Sequence, residues 1–233
     1  MPWHAKPNGP YTLGSSDWVD NLNMIVSCCP GWTLEALAGM LGNMQHESAL
    51  NPWRWEGDSV SPIYANGYGL PQFTPASGYI NLPGATPNLS VSTTTPGASP
   101  DDGTRQMQAI NSDELSKWNS SCWRVYWSSI TYSGLWQYHN EILQTYGNGS
   151  DVTMAQFKAC TDVDAATFMW LACYEGPGEP NFTPRQNTAR LIYQNYLGGV
   201  IPPTPDPPTP DPPSGVHVPF WLLKKAIDNA NRT

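Results

Sequence analysis

The sequence predicts an α+β fold that is mainly α, with a small β-hairpin lobe, a Pro-rich linker and a short C-terminal tail. Apolar residues recur at helical spacing on both sides of residues 51–79, where the pattern breaks into short aromatic segments separated by Gly and Pro. Residues 201–213 repeat a Pro-rich unit that cannot pack into a core and that favours a stiff polyproline II spacer. These observations divide the chain into an N-terminal extension 1–14, a main domain 15–199, a linker 200–215 and a tail 216–233.

Two helices are predicted before the lobe. The first spans about residues 16–28, because its apolar residues fall on one face, and Pro30 and Gly31 end it. The second begins after Thr33, a good N-cap residue, and ends near Glu47. Its apolar face comprises Leu34, Leu37, Ala38, Leu41 and Met44.

The segments after the lobe predict one long loop and four further helices. Residues 81–104 are rich in Pro, Gly, Ser and Thr, which indicates a long mobile loop that is either a lid or a plain surface insertion. The last helix is expected to start after Thr183 as N-cap, with Pro184 at its first position, and to end at Gly198 and Gly199. The other three helices are expected at about 105–118, 134–146 and 163–174.

Charge and composition narrow the classes of partner. A net charge of −8 removes the attraction that supplies most nonspecific nucleic-acid affinity, so nucleic acid is not an expected partner. The 11 Trp and 11 Tyr residues provide more ring surface than a core needs, and we expect some of them to stack on sugars. Since no apolar run reaches the ~20 residues that span a bilayer and the amino terminus lacks a secretion signal, we expect a soluble chain without membrane insertion or ordinary export.

The five cysteines do not indicate a metal site. They form no CxxC pair and no His/Cys spacing suited to zinc, so neither a metal nor another cofactor is expected. An odd number leaves at least one thiol unpaired, and one or two disulfides of undetermined connectivity remain compatible with the sequence.

Two motifs carry a resemblance to a known family. Residues 39–48 read GMLGNMQHES, and residues 67–75 read GYGLPQFTP. Together with YEGPG at 174–178, they resemble the phage tail lysozyme family, relatives of the lysozyme superfamily, over about residues 15–197. The resemblance implies a lysozyme-like fold and a bacteriolytic glycosidase, either a hydrolase or a lytic transglycosylase, that cleaves peptidoglycan glycan strands. It also implies a place in the phage tail of the virion, or in the host cytoplasm before release, with action on the bacterial cell wall.

Glu47 is the catalytic acid that the resemblance implies, and its position agrees with that role. A glycosidase acid must hold a proton near neutral pH, so its pKa must rise well above the ~4.3 of a free Glu. Glu47 follows Met40 and Met44 on the edge of an apolar face and lies at a helix C-terminus, whose dipole disfavours negative charge. Both effects are expected to raise its pKa.

The resemblance also implies substrate-binding residues in the lobe. Tyr68 and Gln72 are expected to contact sugar, while Gly67 and Gly69 allow close approach of the backbone. The rings of Trp55 and Phe73, with those of Trp53 and Tyr64, either stack on sugar faces or belong to the core.

The second carboxyl group is left open by the sequence. Glu56 and Asp58 lie in the lobe and are candidates for base, nucleophile or cation stabiliser, or are solvated loop residues. Glu175 corresponds to the Glu of a Glu-Arg-Pro motif that is usual in the family, but Gly176 replaces the Arg of that motif here. We therefore expect Glu175 to be a structural residue or to bind substrate at the cleft edge.

Two other classes of function compete with the glycosidase. A cysteine-dependent amidase would use Cys28 or Cys29 with His46 or His139, but a helix C-terminus raises a thiol pKa. An inactive glycan-binding or structural tail protein would also fit the aromatic content. New reducing ends, free amino groups or neither, measured on peptidoglycan, separate the three classes.

The tail, residues 216–233, ends the chain with apolar residues that are unfavourable to leave in water. We expect it to dock on other phage tail proteins or on the cell surface, or to fold back on the main domain.

Overall fold

The residues that the computed structural model describes are 2–7, 9–59, 61–121, 133–177 and 180–198, and they form a mainly helical fold. The predicted linker 200–215 and tail 216–233 lie outside the described residues. In chain order the elements are α1 (Ser16–Ser27), α2 (Leu34–Glu47), α3 (Ala76–Ile80), α4 (Asp102–Asn111), α5 (Ser133–Thr145), α6 (Met154–Lys158), α7 (Val163–Met169), a π-helix (Trp170–Glu175) that continues α7, and α8 (Phe182–Tyr196).

Helix α2 lies at the centre of the fold and packs mainly against α7 and α8. Two glycines allow these helices to approach closely. A Cβ atom at Gly39 would lie 2.6 Å from the backbone of Ala166 in α7, and one at Gly42 would lie 2.6 Å from the Cβ of Ala189 in α8. Any side chain at either position would therefore push the helices apart. This contact holds the C-terminal end of α2 against α8.

The first two helices follow the sequence prediction closely. Helix α1 ends one residue before the predicted end, and α2 begins and ends where expected. The Thr33 side chain accepts a hydrogen bond from the Ala36 amide at 3.1 Å, which confirms Thr33 as the N-cap. Leu34 was wrongly placed on the apolar face: it is the first residue of the helix and is 41% exposed.

Two later boundaries were predicted wrongly. Helix α4 ends at Asn111 because the chain then turns at Asp113, which has a positive φ of 50° and whose carboxylate accepts from the amide of Lys117 at 2.7 Å. The N-cap of α8 is Asn181 and not Thr183. Pro184 did not fix the start of α8, because the first-turn amides of a helix have no intrahelical acceptor and Pro is tolerated at any of them.

A π-helix replaces the last turns of the helix predicted at 163–174. The Gly176 amide donates to the Leu171 carbonyl at 2.8 Å, which is the i to i+5 spacing of a π-turn. Gly176 then ends the helix in the left-handed conformation, φ 58° and ψ 47°, which glycine adopts readily. The π-turn determines where the last residue of the element, Glu175, points.

The lobe after α2 is built on buried aromatic rings. Its described residues contain two isolated antiparallel bridges, Trp55 with Tyr68 and Tyr68 with Phe73, so the predicted β-hairpin is not confirmed. The rings of Trp55 and Tyr68 lie 4.8 Å apart, and those of Phe73 and Tyr79 stack at 4.7 Å. Ring packing and backbone hydrogen bonds together hold this segment in place.

The long loop before α4 is anchored on the lobe. The Trp55 indole donates to the Asn88 carbonyl at 3.1 Å, and the Asn88 amide donates to the Tyr68 hydroxyl at 3.0 Å. Closer to α4, the Trp53 indole donates to the Ser99 carbonyl at 3.1 Å. These three bonds bind the loop to the lobe at both its middle and its end.

The segment predicted as an N-terminal extension packs on the helices. The Trp3 ring is buried against Gly103, and its indole donates to the Thr104 hydroxyl at 2.7 Å. The His4 amide donates to the Asn21 side chain at 2.8 Å. All described residues belong to one unit, Met1–Val200. Within that part of the chain no helix is long and apolar enough to cross a membrane.

Candidate functional site

A cleft of about 290 Å³ lies where the end of α2, the lobe and the π-helix meet. Four of the residues singled out in the sequence line it together: Glu47, Gln72, Glu56 and Glu175. The remaining lining residues are Pro71, Thr74, Lys117, Tyr174 and Pro177. Three carboxyl groups therefore border one small cavity, which is an arrangement suited to acid–base chemistry.

Glu47 forms an ion pair that the sequence analysis did not anticipate. The Arg185 guanidinium donates from Nη2 to Glu47 Oε1 at 2.5 Å, and its Nη1 donates to the Asn43 carbonyl and side-chain oxygens, both at 3.3 Å. The side chains of Arg185 and Glu47 are only 8% and 20% exposed. A guanidinium at this distance stabilises the carboxylate form of an acid.

The sequence did contain a signal for this pair. Arg185 lies four residues before Ala189 and seven before Ile192, so it falls on the buried face of α8. Because an arginine on a buried face requires a partner for its charge, a carboxylate or several carbonyl oxygens must lie opposite it. That reasoning would have indicated a buried acceptor for Arg185 but neither its chemical type nor the residue.

Glu175 is placed in the cleft by the π-helix. In an α-helix, residues five apart lie on different faces, whereas the wider π-turn brings them close to one another. The Trp170 indole accordingly donates to Glu175 Oε1 at 2.7 Å, five residues away. Burial, and next to it the negative charge of Glu47, raise the pKa of Glu175 to about 8, although Arg185, Trp170 and Lys117 act in the opposite direction.

The two lobe carboxylates differ in position. Glu56 lines the cleft, is exposed, and accepts from the Gly67 amide at 2.7 Å. Asp58 is not among the lining residues; it forms a two-pronged ion pair with Arg54 at 2.9 and 3.0 Å. Of the two candidates for a second carboxylate, the structure therefore brings only Glu56 to the cavity.

Gln72 combines a fixed amide with an unused acceptor. Its Nε2 donates to the carbonyls of Arg54 and Gly69 at 3.0 and 2.9 Å, while its Oε1 is buried and has no hydrogen-bond partner among the described residues. Its backbone has a positive φ of 49°, which is unfavourable for a non-glycine residue. Because this oxygen is buried against Gly67, an N–H or O–H group of a ligand reaches it only if the lobe rearranges.

The aromatic residues predicted to contact sugar lie in the core. Trp55, Tyr68 and Phe73 are at most 1% exposed. A ring without an exposed face cannot stack on a sugar, so in this structure the three rings support the lobe under the cleft. Trp53 is likewise buried, whereas Tyr64 is exposed and meets the Trp55 ring edge-on at 6.0 Å.

The cysteines of the amidase alternative are poor nucleophiles. Cys28, Cys29 and Cys160 carry free thiols, and Cys173 is disulfide-bonded. Burial raises the pKa of Cys29 to about 12, and burial also raises that of Cys28. Because the thiolate is the reactive form, neither thiol is activated at neutral pH.

Comparison with known proteins agrees with the sequence motifs. The profile of the phage tail lysozyme family matches residues 20–196 of this chain. Morphogenesis protein 1 of Bacillus phage B103 is 28% identical over 169 residues, which are 72% of this chain and 36% of that protein. The chain thus spans about a third of the length of this relative. The matched range includes every cleft residue named above.

Proposed function

The chain belongs to the phage tail lysozyme family, and from that premise we propose that it hydrolyses peptidoglycan glycan strands in the cleft, with Glu47 as general acid. Glu47 transfers a proton to the glycosidic oxygen as the bond from that oxygen to the sugar C1 breaks. The oxygen of a water molecule then bonds to C1, and the proton that this water releases restores the acid.

The observation that carries this proposal is the presence of two carboxyl groups with opposite environments in one cavity. Glycoside hydrolysis requires one carboxyl that holds a proton and one that carries a negative charge. Glu47 lies against the Arg185 guanidinium, whereas Glu175 is buried beside a neutral indole. Glu175 can thus hold a proton near neutral pH, and Glu47 acts as the acid after it takes a proton up.

Two other lining residues complete the proposed site. Gln72 lines the cleft, where it contacts the sugar that is bound there. Glu56, on the lobe side, activates the water or stabilises the positive charge that develops at C1. We assign no catalytic role to Asp58, because its carboxylate forms an ion pair with Arg54.

The partner and location are further parts of the proposal. The relative's name, Morphogenesis protein 1, supports a place in the phage particle, with peptidoglycan of the host wall as substrate. Residues 216–233, which are outside the described part of the chain, serve in this proposal to dock the enzyme on other phage tail proteins. Deletion after residue 199 should weaken that retention while leaving activity on soluble glycan intact.

The test is Glu47→Gln, measured as new reducing ends released from purified peptidoglycan. The amide keeps the size of the side chain and an acceptor for Arg185 but has no proton to transfer, so we expect a loss of about 10²–10⁴-fold. A matched control is Glu114→Gln, which removes a carboxylate paired with Arg105 on the surface, and which should keep full activity.

Three outcomes would contradict the proposed reaction. Reducing ends at a near-wild-type rate from Glu47→Gln would show that another group is the acid. Free amino groups from the wild-type enzyme would indicate an amidase, and glycan products lighter by one water would indicate a transglycosylase.

A further inference from the structure

We propose that Glu175 is the proton-holding partner of Glu47: the two carboxyl groups share one proton, and Glu175 stores it until Glu47 delivers it to the glycosidic oxygen. This inference rests on the proposed function of Glu47, and it concerns where the proton comes from.

The first support is placement. Glu47 is the last residue of α2, Glu175 is the last residue of the π-helix, and both line the same cavity. Helix α2 also packs against the π-helix. Two carboxyl groups that share a confined site cannot both ionise without mutual repulsion, so one of them retains a proton to higher pH than an isolated acid would.

The second support is the difference between their partners. Glu47 receives the Nη2 of a guanidinium that is itself buried, whereas Glu175 receives one N–H from the neutral indole of Trp170. The single negative charge is therefore favoured on Glu47, and the single proton is favoured on Glu175.

The other charged groups around the cleft do not reverse this distribution. Lys117 lowers the pKa of Glu175, but its ammonium group lies at the exposed rim, where it donates to the Thr74 carbonyl at 2.7 Å and is screened by solvent. Burial, with Arg185 next, lowers the pKa of His46, which favours its neutral ring. The remaining titratable groups that face this region are acidic or phenolic: Glu56, Asp113 and Tyr174.

The proposed proton path is balanced over one turnover. Glu175 releases its proton into the cavity and Glu47 takes one up, so the O–H bond of Glu175 breaks and an O–H bond forms on Glu47. The negative charge passes to Glu175, where Arg185 and Lys117 stabilise it. Glu47 then gives this proton to the glycosidic oxygen, which also takes the electron pair of the broken C1–O bond. The water that adds to C1 releases one proton, and this proton returns to the pair.

The decisive variant is Glu175→Gln, which keeps an acceptor for the Trp170 indole but holds no transferable proton. Glu47 must then bind its proton beside Arg185 without help. We expect kcat to stay near the wild-type value at about pH 5 and to fall about tenfold or more at about pH 7.5, with KM little changed. The alkaline limb of the pH–rate profile should move to lower pH.

Stability gives a readout that does not depend on catalysis. A carboxyl whose pKa is higher in the folded state than in the unfolded state stabilises the fold below the unfolded value, and this contribution is lost as the pH rises through the folded value. For Glu175 that window runs from its ordinary 4.5 to about 8. The decline in unfolding free energy across this window should be smaller in Glu175→Gln and unchanged in the surface control Glu114→Gln.

A second variant decides the matter if Glu175→Gln fails to fold. Lys117→Gln removes a positive charge that lowers the pKa of Glu175, so the alkaline limb should move to higher pH. An unmoved limb in both variants, or a uniform loss at every pH in Glu175→Gln, would overturn the inference. If Glu47→Gln is inactive and the alkaline limb of the pH–rate profile moves in neither variant, only the sharing of the proton is wrong. If Glu47→Gln is active, the proposed function itself fails.

Discussion

The ends of two helices, one at Glu47 and one at Glu175, carry the same residue type in the same cleft but in different electrostatic surroundings. At both ends the helix dipole disfavours a negative charge. Glu47 is compensated by the Arg185 guanidinium, which arrives from α8, whereas Glu175 has a neutral indole from its own helix. We infer from the comparison that the hydrogen-bond partner of each carboxyl group, more than its position at a helix end, decides which group holds the charge and which the proton.

The strongest way to break this comparison is Arg185→Met, which leaves Glu47 mostly buried and without its cation. Because an uncompensated buried charge is costly, the unfolding free energy at pH 7 should fall by about 3–5 kcal/mol. Chemical denaturation at pH 7 measures this loss.

The matched control for that variant is Arg190→Met. Arg190 pairs with Asp164, and both side chains are partly exposed, so the loss should stay at about 1 kcal/mol or less. Equal losses of unfolding free energy in the two variants would show that the pair of Arg185 and Glu47 stabilises the fold no more than a partly exposed ion pair does.

A smaller change, Trp170→Phe, removes the indole that donates to Glu175 and so tests the surroundings of the second carboxyl group. Loss of the indole donor should cost about 1–3 kcal/mol. It should also raise the pKa of Glu175 further, because that N–H favours the ionised carboxylate. The alkaline limb of the pH–rate profile should therefore move to higher pH.

Trp118→Phe controls for the loss of an indole hydrogen-bond donor at a partly buried site. The Trp118 indole donates to the Val152 carbonyl at 2.8 Å, so its removal should lower stability without moving the limb. If the two variants shift the limb equally, the effect would come from altered packing and not from the bond to Glu175.

The smallest effect is expected for Asp58→Asn. This variant tests whether a lobe carboxylate that does not line the cleft contributes to activity. The ion pair of Asp58 with Arg54 is partly exposed, so its loss should cost less than about 1 kcal/mol. Reducing-end release should be unchanged because Asp58 does not line the cleft. A large loss of activity would require Asp58 to move into the cavity when substrate binds.

The helical part of the fold could be predicted from the sequence because local patterns determine it. The apolar stripes and the Thr33 N-cap located α1 and α2, and with them the helix-end position of Glu47. The π-helix could not be predicted, because a π-turn alters the register of a helix without a distinctive composition. The family resemblance offered Glu175 as a structural residue or a residue of the cleft edge, but its hydrogen bond to Trp170 across the π-turn was not predicted.

The electrostatics and the aromatic residues of the site depend on contacts between distant segments. The position of Glu47 on α2 alone predicted a raised pKa, but its partner Arg185 lies 138 positions along the chain. The rings of Trp55, Tyr68 and Phe73 fit a sugar platform and a core equally well as sequence, and only their burial separates the two.

The most direct test of the account is a pH titration of the glutamate side-chain carboxyl carbons by NMR in the wild-type protein and in Glu47→Gln. In the wild type, the signal of Glu175 should remain that of a protonated acid at pH 7 and change with a midpoint of about 8. In Glu47→Gln the midpoint should fall, because the neighbouring negative charge is gone. A Glu175 signal that titrates near the ordinary value of 4.5 in both proteins would contradict the division of proton and charge between the two carboxyl groups.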